Sequence, residues 1–166
     1  MRDRPTASSE HVRRRFSAQK RQDTAPELEL RRLLHRAGLR YRVGLPVPGA
    51  PRRTIDIAFP AAKLAVFVDG CFWHGCPEHG VSPKANSEWW AEKLHVNAKR
   101  DAATDALLES AGWEVIRVWE HVPASDASHS VQDALARRRQ ESGRSRNLGG
   151  DERINESPSL RGVQGA

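Results

Sequence analysis

The 166-residue sequence has no long apolar run and little cysteine. None of its hydrophobic stretches approaches the roughly 20 residues that a membrane-spanning helix needs. The N-terminal segment MRDRPTASSEHVRRRF has basic residues but no apolar core, so we expect no secretory signal there. A hydrophobic share of 38% and a mean hydropathy of −0.67 predict a polar, soluble chain that is long enough to bury one core. We expect a cytoplasmic location.

Two cysteines are too few for a disulfide framework, and their position favours a metal site. Both stand in the stretch VDGCFWHGCPEHG, where Cys71, Cys76 and His79 form a C-x4-C-x2-H pattern. Thiolate and imidazole are the usual ligands of Zn²⁺, and a structural zinc site normally has four. On the simpler alternative, Cys71 is a small buried apolar residue and the rest is a polar loop.

The fourth ligand must come from another part of the sequence or from within the loop. His121 is the favoured candidate because it ends a predicted strand, WEVIRVWEHV, that could lie beside the strand preceding the cysteines. His74 and Glu78 are the alternatives.

Acidic residues are scarce at the N-terminus. The formal net charge is +6 and the isoelectric point is about 10.0. Residues 1–21 contain only two acids, Asp3 and Glu10, against seven basic residues: Arg2, Arg4, Arg13, Arg14, Arg15, Lys20 and Arg21. A basic arm on a nearly balanced body is typical of a protein that binds a polyanion such as nucleic acid. The alternative is a solvated, disordered tail.

The pattern of apolar residues predicts an α/β fold around a mixed sheet. A first helix is expected in DTAPELELRRLLHRAGLRYRV, with Thr24 as its N-cap and Gly38 at its end. The segment GLPVPGAPRR reads as a loop, RTIDIAFP and KLAVFVDG as a hairpin, and NSEWWAEKLHVNAKRDAATDALLESAG as a long helix. The third strand and a short helix, SHSVQDALARRRQ, follow. We expect a flexible basic arm over residues 1–20, one domain over 21–138 and a disordered tail over 139–166.

Three carboxylates could serve a catalytic cation. Asp56 interrupts an otherwise apolar strand, where an ionised carboxylate is unfavourable unless it is paired or binds a metal. Asp69 ends the next strand, and Glu27 lies in the first helix. Carboxylate oxygens are the ligands that Mg²⁺ prefers, and such a cation can stabilise a phosphoryl transition state. The alternatives are an ion pair of Asp56 with Arg52 or Arg53 and a capping role for Glu27.

The same stretch contains a candidate base and a pair of aromatic residues. His74 could act as a general base because the imidazole pKa lies near neutral pH. It could instead be a zinc ligand or face solvent. Phe72 and Trp73 stand between two candidate ligands, and rigid aromatic side chains can insert between base pairs. Trp89 and Trp90 open the following helix, and we expect one of the two to pack on the sheet.

The run GCFWHGCPEH, with TIDIAF before it and EWWAEK…N…RD…L…GW.V..VWEH after it, resembles the very-short-patch repair (DNA mismatch) endonucleases. The resemblance extends over about residues 12–122. It implies a restriction-endonuclease-like, three-layer fold with a structural zinc site. It also implies Mg²⁺-dependent nicking of one strand of duplex DNA at a T:G mismatch.

The resemblance also implies roles for particular residues. Asp56 would bind Mg²⁺ together with the main-chain carbonyl of Val68, His74 would be the catalytic histidine, and Glu27 would support it. At Asp69 the sequence departs from the family pattern, and we expect this residue to be a further catalytic group, either as an additional Mg²⁺ ligand or in place of a side chain that other members use elsewhere. The zinc positions are Cys71, Cys76, His79 and His121. The expected DNA contacts are Phe72, Trp73, Trp90, Lys93, Asn97, Arg14, Arg15, Lys20 and Arg21, with Trp89 left to pack.

The sequence departs from the family pattern beside the expected site. Ile55 replaces the proline that often precedes the metal-binding aspartate, and Val68-Asp69 replaces a Thr-His pair found in some members. A restriction-type nuclease of the same fold with another DNA target is one rival reading. A zinc-containing DNA-binding module without hydrolysis is another. We expect a monomer that acts on mismatched duplex DNA and not on a membrane.

Overall fold

The computed structural model describes Arg14, residues 22–81 and residues 83–148, with the backbone alone for 142–148. Its elements are helix α1 (Ala25–Arg36), strands β1 (Arg42–Val47) and β2 (Ala50–Phe59), a 3₁₀ turn (Pro60–Ala62), strand β3 (Leu64–Asp69), helix α2 (Ser87–Ser110), strand β4 (Glu114–Trp119) and helix α3 (Ala124–Leu148). The strands form one sheet in the order β1-β2-β3-β4. The pairs β1–β2 and β2–β3 are antiparallel and the pair β3–β4 is parallel, so the predicted α/β class with a mixed sheet is confirmed.

Helix α1 begins and ends where the sequence predicts. Thr24 is extended at the N-cap position, and Pro26 lies in the first turn, where its missing N–H would have no helical partner. Leu30 and Leu34 are buried on one face at a spacing of four residues. Gly38, just past the end, has a φ of +75°, a conformation that residues with a Cβ rarely adopt.

The predicted hairpin of β2 and β3 is present, but the prediction of a loop over Gly44–Arg53 is wrong. That segment forms most of β1 and the start of β2, which pair from Arg42–Ala58 to Val47–Ala50. Proline is tolerated there because β1 is an edge strand, and the pairing is irregular between Pro46 and Val47. Gly49, with a φ of +77°, forms the tight turn.

Strands β3 and β4 pair in parallel from Leu64–Glu114 to Asp69–Trp119. Parallel neighbours need a long crossover, and the 24-residue helix α2 provides it. The helix ends as predicted, with Gly112 just beyond its cap at a φ of +79°. As a result, the carboxyl ends of β3 and β4 lie side by side at one edge of the sheet.

Apolar side chains cover both faces of the sheet. On one face, Leu34 of α1 and Val131 of α3 pack with Val66 of β3. On the other, Leu108 of α2 packs with Phe67 of β3. The helices therefore form a layer on each side of the sheet, as expected for a three-layer α/β arrangement.

Helix α3 is longer than predicted, because it begins at Ala124 and its backbone continues to Leu148. The predicted tail therefore starts within a helix, and residues 149–166 lie outside the described residues. The predicted N-terminal arm also lies outside them, apart from Arg14. No helix in the described part of the chain is long and apolar enough to cross a membrane.

Candidate active site and metal centre

The edge where β3 and β4 end gathers most of the polar residues that the sequence singled out. Asp69, the last residue of β3, pairs with Trp119, the last of β4. The loop over residues 70–80 follows Asp69, and residues 120–123 follow Trp119. Two segments that are far apart in sequence therefore meet because their strands are parallel neighbours.

Four candidate metal ligands come together at this edge. The ligand atoms of Cys71, Cys76, His79 and His121 all lie within 4.8 Å of one another. The Nδ1 atom of His121 is 3.1 Å from Sγ of Cys71 and 3.7 Å from Sγ of Cys76. Of the alternatives considered for the fourth ligand, His74 binds elsewhere, and Glu78 lies outside this set with an oxygen 3.6 Å from Nε2 of His121.

The donor set and spacing fit a tetrahedral cation. Zn–S and Zn–N lengths of about 2.3 and 2.0 Å place sulfur and nitrogen about 3.5 Å apart, and the two S–N distances of 3.1 and 3.7 Å bracket that value. Burial and the adjacent sulfur of Cys76 raise the pKa of Cys71 to about 11 when no cation neutralises the thiolates. A cation at this position would supply the missing positive charge.

The loop around the four ligands has its own supports. The main-chain N–H of Cys71 donates a hydrogen bond of 2.7 Å to Oε1 of Glu120. Gly80 closes the loop by donating its N–H to the carbonyl of Cys76 at 2.8 Å. A Cβ on Gly80 would lie 2.3 Å from that carbonyl oxygen, so only glycine fits there.

Asp56 lies where β2 separates from β3. The pairing of β2 with β3 ends at Ile57 and Val66, one residue after Asp56. Oδ2 of Asp56 instead accepts a hydrogen bond from the main-chain N–H of Val68 at 2.9 Å. Burial raises the pKa of Asp56 to about 6, and the charges of Glu27 and Asp69 act in the same direction. A half-buried carboxylate near two other acids is a fitting ligand for a divalent cation.

His74 is oriented by an acidic residue of α2. Its Nδ1 atom lies 2.7 Å from Oδ2 of Asp101 and 3.6 Å from Oδ1 of Asp69. Burial alone would lower the pKa of His74, but the hydrogen bond to Asp101 and the nearby carboxylates outweigh it and raise the pKa. The pKa of Asp101 is lowered, because its hydrogen bond with His74 overcomes the effect of burial.

Arg117 of β4 joins two further acids beside His74. Its Nη1 atom donates to both oxygens of Asp69, at 2.9 and 3.0 Å. Its Nε and Nη2 atoms donate to Asp105 at distances of 2.9 to 3.2 Å, and its guanidinium lies 4.6 Å from the ring centre of Phe67. Although burial opposes its charge, these carboxylates raise the pKa of Arg117.

Glu27 binds the residues just before helix α1 and lies near Asp56, whereas the side chain of the N-cap residue Thr24 makes no capping hydrogen bond to the helix. The carboxylate of Glu27 accepts hydrogen bonds from the main-chain N–H of Asp23 at 3.0 Å and the hydroxyl of Thr24 at 3.1 Å. Arg31 donates to the same carboxylate at 3.0 Å. Glu27 therefore acts on Asp56 through its charge, which helps to raise the pKa of Asp56. The hydrogen bonds of Glu27 are made to residues within 23–31.

The aromatic residues form one cluster beside the loop. The rings of Phe72 and Trp73 have centroids 5.1 Å apart, and Trp90 lies 5.1 Å from Phe72 and 5.9 Å from Trp73. Trp89, expected to pack elsewhere, also contacts Trp90 at 4.9 Å. All four side chains are half-buried.

The other expected DNA contacts have different surroundings. Lys93 is half-buried on α2 and Arg14 is exposed, whereas Arg15, Lys20 and Arg21 lie outside the described residues. Asn97 is 6% exposed, and its amide donates to the carbonyl of Trp73 at 3.0 Å. Asn97 therefore fixes the main chain of Trp73, which belongs to the aromatic cluster.

Sequence reasoning missed Asp101, Asp105, Arg117 and Glu120. One signal was available, because Asn97, Asp101 and Asp105 recur at intervals of four on a predicted helix and must share a face. Asp69 pairs with Arg117 because β4 lies parallel to β3, and that pairing was not predictable from spacing.

Comparison with known proteins assigns the family. The model of the DNA mismatch endonuclease Vsr family matches residues 8–78. The chain is 44% identical over 124 residues to the type II nicking enzyme V.NaeI of Lentzea aerocolonigenes, covering 74% of this chain and 75% of that protein. It is 40% identical over 115 residues to the type II nicking enzyme V.XorIIP of Xanthomonas oryzae pv. oryzae, covering 65% and 79%.

A further relative is the DNA mismatch endonuclease Vsr of Escherichia coli K12. It is 38% identical over 101 residues, which cover 59% of this chain and 62% of that protein. These similarities support a DNA endonuclease. The chain belongs to the very-short-patch repair (DNA mismatch) endonuclease family.

Proposed function

We propose that this protein is a Mg²⁺-dependent endonuclease that nicks one strand of duplex DNA at a T:G mismatch, on a restriction-endonuclease-like fold. The observation that carries the proposal is the placement of the His74–Asp101 pair at one edge of the sheet together with Asp69, whose charge also acts on the half-buried Asp56. Such a group of residues can hold a cation, a water molecule and a phosphate close together.

Asp56 and the main-chain carbonyl of Val68 would hold Mg²⁺. One oxygen of Asp56 already accepts the N–H of Val68, which leaves the other free to bind the cation. When bound, Mg²⁺ stabilises the charge that develops on the phosphate. Glu27 adds negative charge to the same region.

His74 would take a proton from the attacking water. Asp101 is ionised and has no proton to donate, so the hydrogen bond at Nδ1 of His74 requires the proton on that nitrogen. The lone pair of neutral His74 is then on Nε2, the atom that faces away from Asp101. A carboxylate that fixes the tautomer of a catalytic imidazole is a recurring device in hydrolases.

Zinc is the cation that best fits the Cys/His centre. Two thiolates and two imidazoles form a closed four-ligand set, which is typical of structural zinc. His74 lies between Cys71 and Cys76 in sequence, as do Phe72 and Trp73. A bound zinc ion would therefore hold the base and two rings of the aromatic cluster in fixed relative positions.

The aromatic cluster and the basic residues would bind the DNA. Insertion of Phe72, Trp73 or Trp90 beside a base pair requires unstacking, which costs a few kcal/mol per step in matched DNA. A T:G mismatch is already weakened, so less free energy is needed there. Lys93, Arg14, Arg15, Lys20 and Arg21 would contact phosphates, and we propose that the protein acts as a monomer.

A second candidate is a nicking or restriction-type nuclease of this fold with another target. It is favoured by the names of V.NaeI and V.XorIIP, which describe nicking enzymes without stating a mismatch. The two candidates share the chemistry and differ only in the DNA that they recognise.

The test is a nicking assay with purified protein on duplexes that carry T:G, every other mismatch or no mismatch, with Mg²⁺ or without it. We expect one nick per T:G duplex and at least about a hundredfold less on matched DNA, since base-pair discrimination of about 3 kcal/mol gives that ratio. Asp56→Asn and His74→Ala should lower the rate by about a hundredfold or more.

Asp133→Asn and His129→Ala are matched controls, because both residues are exposed on α3. Equal cleavage of matched and T:G duplexes would support the second candidate. Wild-type rates in Asp56→Asn would rule out the mechanism. DNA binding without any nick would leave a non-catalytic binding module.

A further inference from the structure

Asp69 has two conceivable roles in the proposed site, as a cation ligand or as a partner of His74. The side chain is 6% exposed, ends β3 and influences both Asp56 and His74. Its hydrogen bonds distinguish the two roles, because a ligand needs an oxygen directed at the cation and a partner needs one directed at the ring.

Both carboxylate oxygens of Asp69 are engaged by one nitrogen of Arg117, at 2.9 and 3.0 Å. A guanidinium that approaches both oxygens neutralises the carboxylate and restricts its rotation. The same carboxylate lies 3.6 Å from Nδ1 of His74. The arrangement favours the partner role, since a cation bound to Asp69 would lie close to a guanidinium of like charge.

Arg117 is itself held from two sides. Asp105 accepts from its Nε and Nη2 atoms, and the ring of Phe67 lies beneath the guanidinium. Its position on β4 is set by direct pairing with Phe67 in the sheet. The guanidinium is therefore held in place by the sheet and by α2, and its hydrogen bonds in turn fix the position of the Asp69 carboxylate.

We propose that Arg117, anchored by Asp105, is a positioning residue that holds Asp69 as a second acidic partner of His74 and keeps it from binding the catalytic cation. In this arrangement α2 reaches His74 by two routes, directly through Asp101 and indirectly through Asp105, Arg117 and Asp69. The inference rests on the proposed function only for its kinetic consequence, because the arrangement of the ring is a property of the free protein.

The first experiment observes His74 in the metal-loaded protein without DNA. A ¹H–¹⁵N correlation spectrum of the histidine rings reports the proton on Nδ1 of His74 and its exchange with water. We expect exchange at least about tenfold faster in Arg117→Gln, since loss of a supporting contact of about 1.4 kcal/mol gives that factor. Asp69→Asn, which keeps the size of the side chain and leaves the Arg117–Asp105 pair intact, should give the same change if Arg117→Gln fails to fold.

The matched control is Arg137→Gln, which breaks another arginine–carboxylate pair, with Glu114 at the opposite end of β4. It should leave the exchange of the His74 proton unchanged. Unchanged exchange in both Arg117→Gln and Asp69→Asn would overturn the proposal. This result does not depend on nicking, so it is distinguishable from a failure of the proposed function.

The second experiment measures the nicking rate of a T:G duplex as a function of Mg²⁺ concentration. If Asp69 is a partner of His74, Asp69→Asn should lower the maximal rate about tenfold or more and change the half-saturating Mg²⁺ concentration less than about twofold. The double variant Asp69→Asn/Arg117→Gln should be no slower than the slower single variant, because the two residues act as a unit. A rise of tenfold or more in half-saturating Mg²⁺ with a normal maximal rate would make Asp69 a cation ligand and overturn the proposal.

Discussion

At the scale of single residues, Asp56 stands out because it serves the proposed reaction at the expense of the fold. Its side chain is half-buried, and this burial raises its pKa from the ordinary 3.8 to about 6. The folded protein therefore binds a proton at Asp56 more tightly than the unfolded chain does. Stability is lost as the pH rises from about 4 to about 6, and at neutral pH the loss amounts to about 3 kcal/mol.

Asp56→Asn should therefore raise the melting temperature in Mg²⁺-free buffer at pH 8, by about 9 °C for a loss of this size in a chain of this length. The amide oxygen can still accept the N–H of Val68, so the hydrogen bond is kept. The gain should fade as the pH is lowered towards 4, where the carboxyl group is protonated in both states. Thermal melts at a series of pH values, with Asp133→Asn as the control, measure it. If Asp56→Asn changed the melting temperature by the same amount at pH 8 and at pH 4, the expectation would be wrong.

Asp101→Asn should lower the nicking rate by about a hundredfold at saturating Mg²⁺, with little change in DNA affinity. An amide can donate to Nδ1 of His74, which allows the proton to move to Nε2 and removes the lone pair that would accept a proton from water. Nicking rates and fluorescence anisotropy, measured on the same preparation, separate the two effects. A loss of affinity equal to the loss of rate would point instead to a damaged binding surface.

Sequence reasoning succeeded at residues whose chemistry is unusual for their position. Asp56 was recognisable because an isolated acid in an apolar strand needs a reason, and the two cysteines because the chain has no others. Asp101 and Arg117 were not recognisable in this way. An acid on a helix and an arginine on a strand are ordinary surface residues until a partner packs against them.

At the scale of elements, we expect the loop between β3 and α2 to depend on its candidate metal centre. The described part of this loop contains no regular helix or strand, and two of its residues, Cys71 and Cys76, are the buried ones. A segment without a hydrophobic core of its own needs another source of stability, and a four-ligand cation site supplies one.

His79→Ala should release the bound cation and lower the melting temperature by about 10 °C, since three ligands hold a structural cation much less tightly than four. Metal analysis of the purified protein and thermal melts measure the two effects. His129→Ala on α3 is the matched control. Full metal content in His79→Ala would show that Glu78 or another group replaces the imidazole.

The elements themselves were predicted with uneven success, for a physical reason. α1, α2 and the hairpin of β2 and β3 have strong local signals in periodicity, caps and apolar runs. Strand β1 has Gly44 and Pro46 in its sequence, and only its pairing with β2 makes it a strand. Tertiary pairing decides the structure where local preference is weak.

At the scale of the whole molecule, the distribution of charge should govern affinity for DNA. The formal net charge of +6 is concentrated in the sequence before residue 22. Each phosphate that is neutralised releases counterions, and the logarithm of the binding constant falls with the logarithm of salt concentration by about 0.9 per contact.

In the triple variant Arg13→Gln/Arg14→Gln/Arg15→Gln, the slope of the logarithm of the binding constant against the logarithm of salt concentration should therefore be smaller in magnitude by about 2 to 3. Fluorescence anisotropy with a labelled T:G duplex between about 50 and 300 mM salt measures the slope. The preference for T:G over matched DNA should stay unchanged, because phosphate contacts carry no sequence information. A lower affinity with the same slope would mean that these arginines do not contact phosphates.

Helix α2 is under a constraint of length as well as of composition. Asn97, Asp101 and Asp105 contact the aromatic loop, His74 and Arg117 in succession from a single face. Inserting or deleting one residue between them would turn the rest of the helix by about 100° and remove part of this row from the site. Over evolutionary time, related chains should exchange the outward residues of α2 freely while the number of residues from 97 to 105 stays the same.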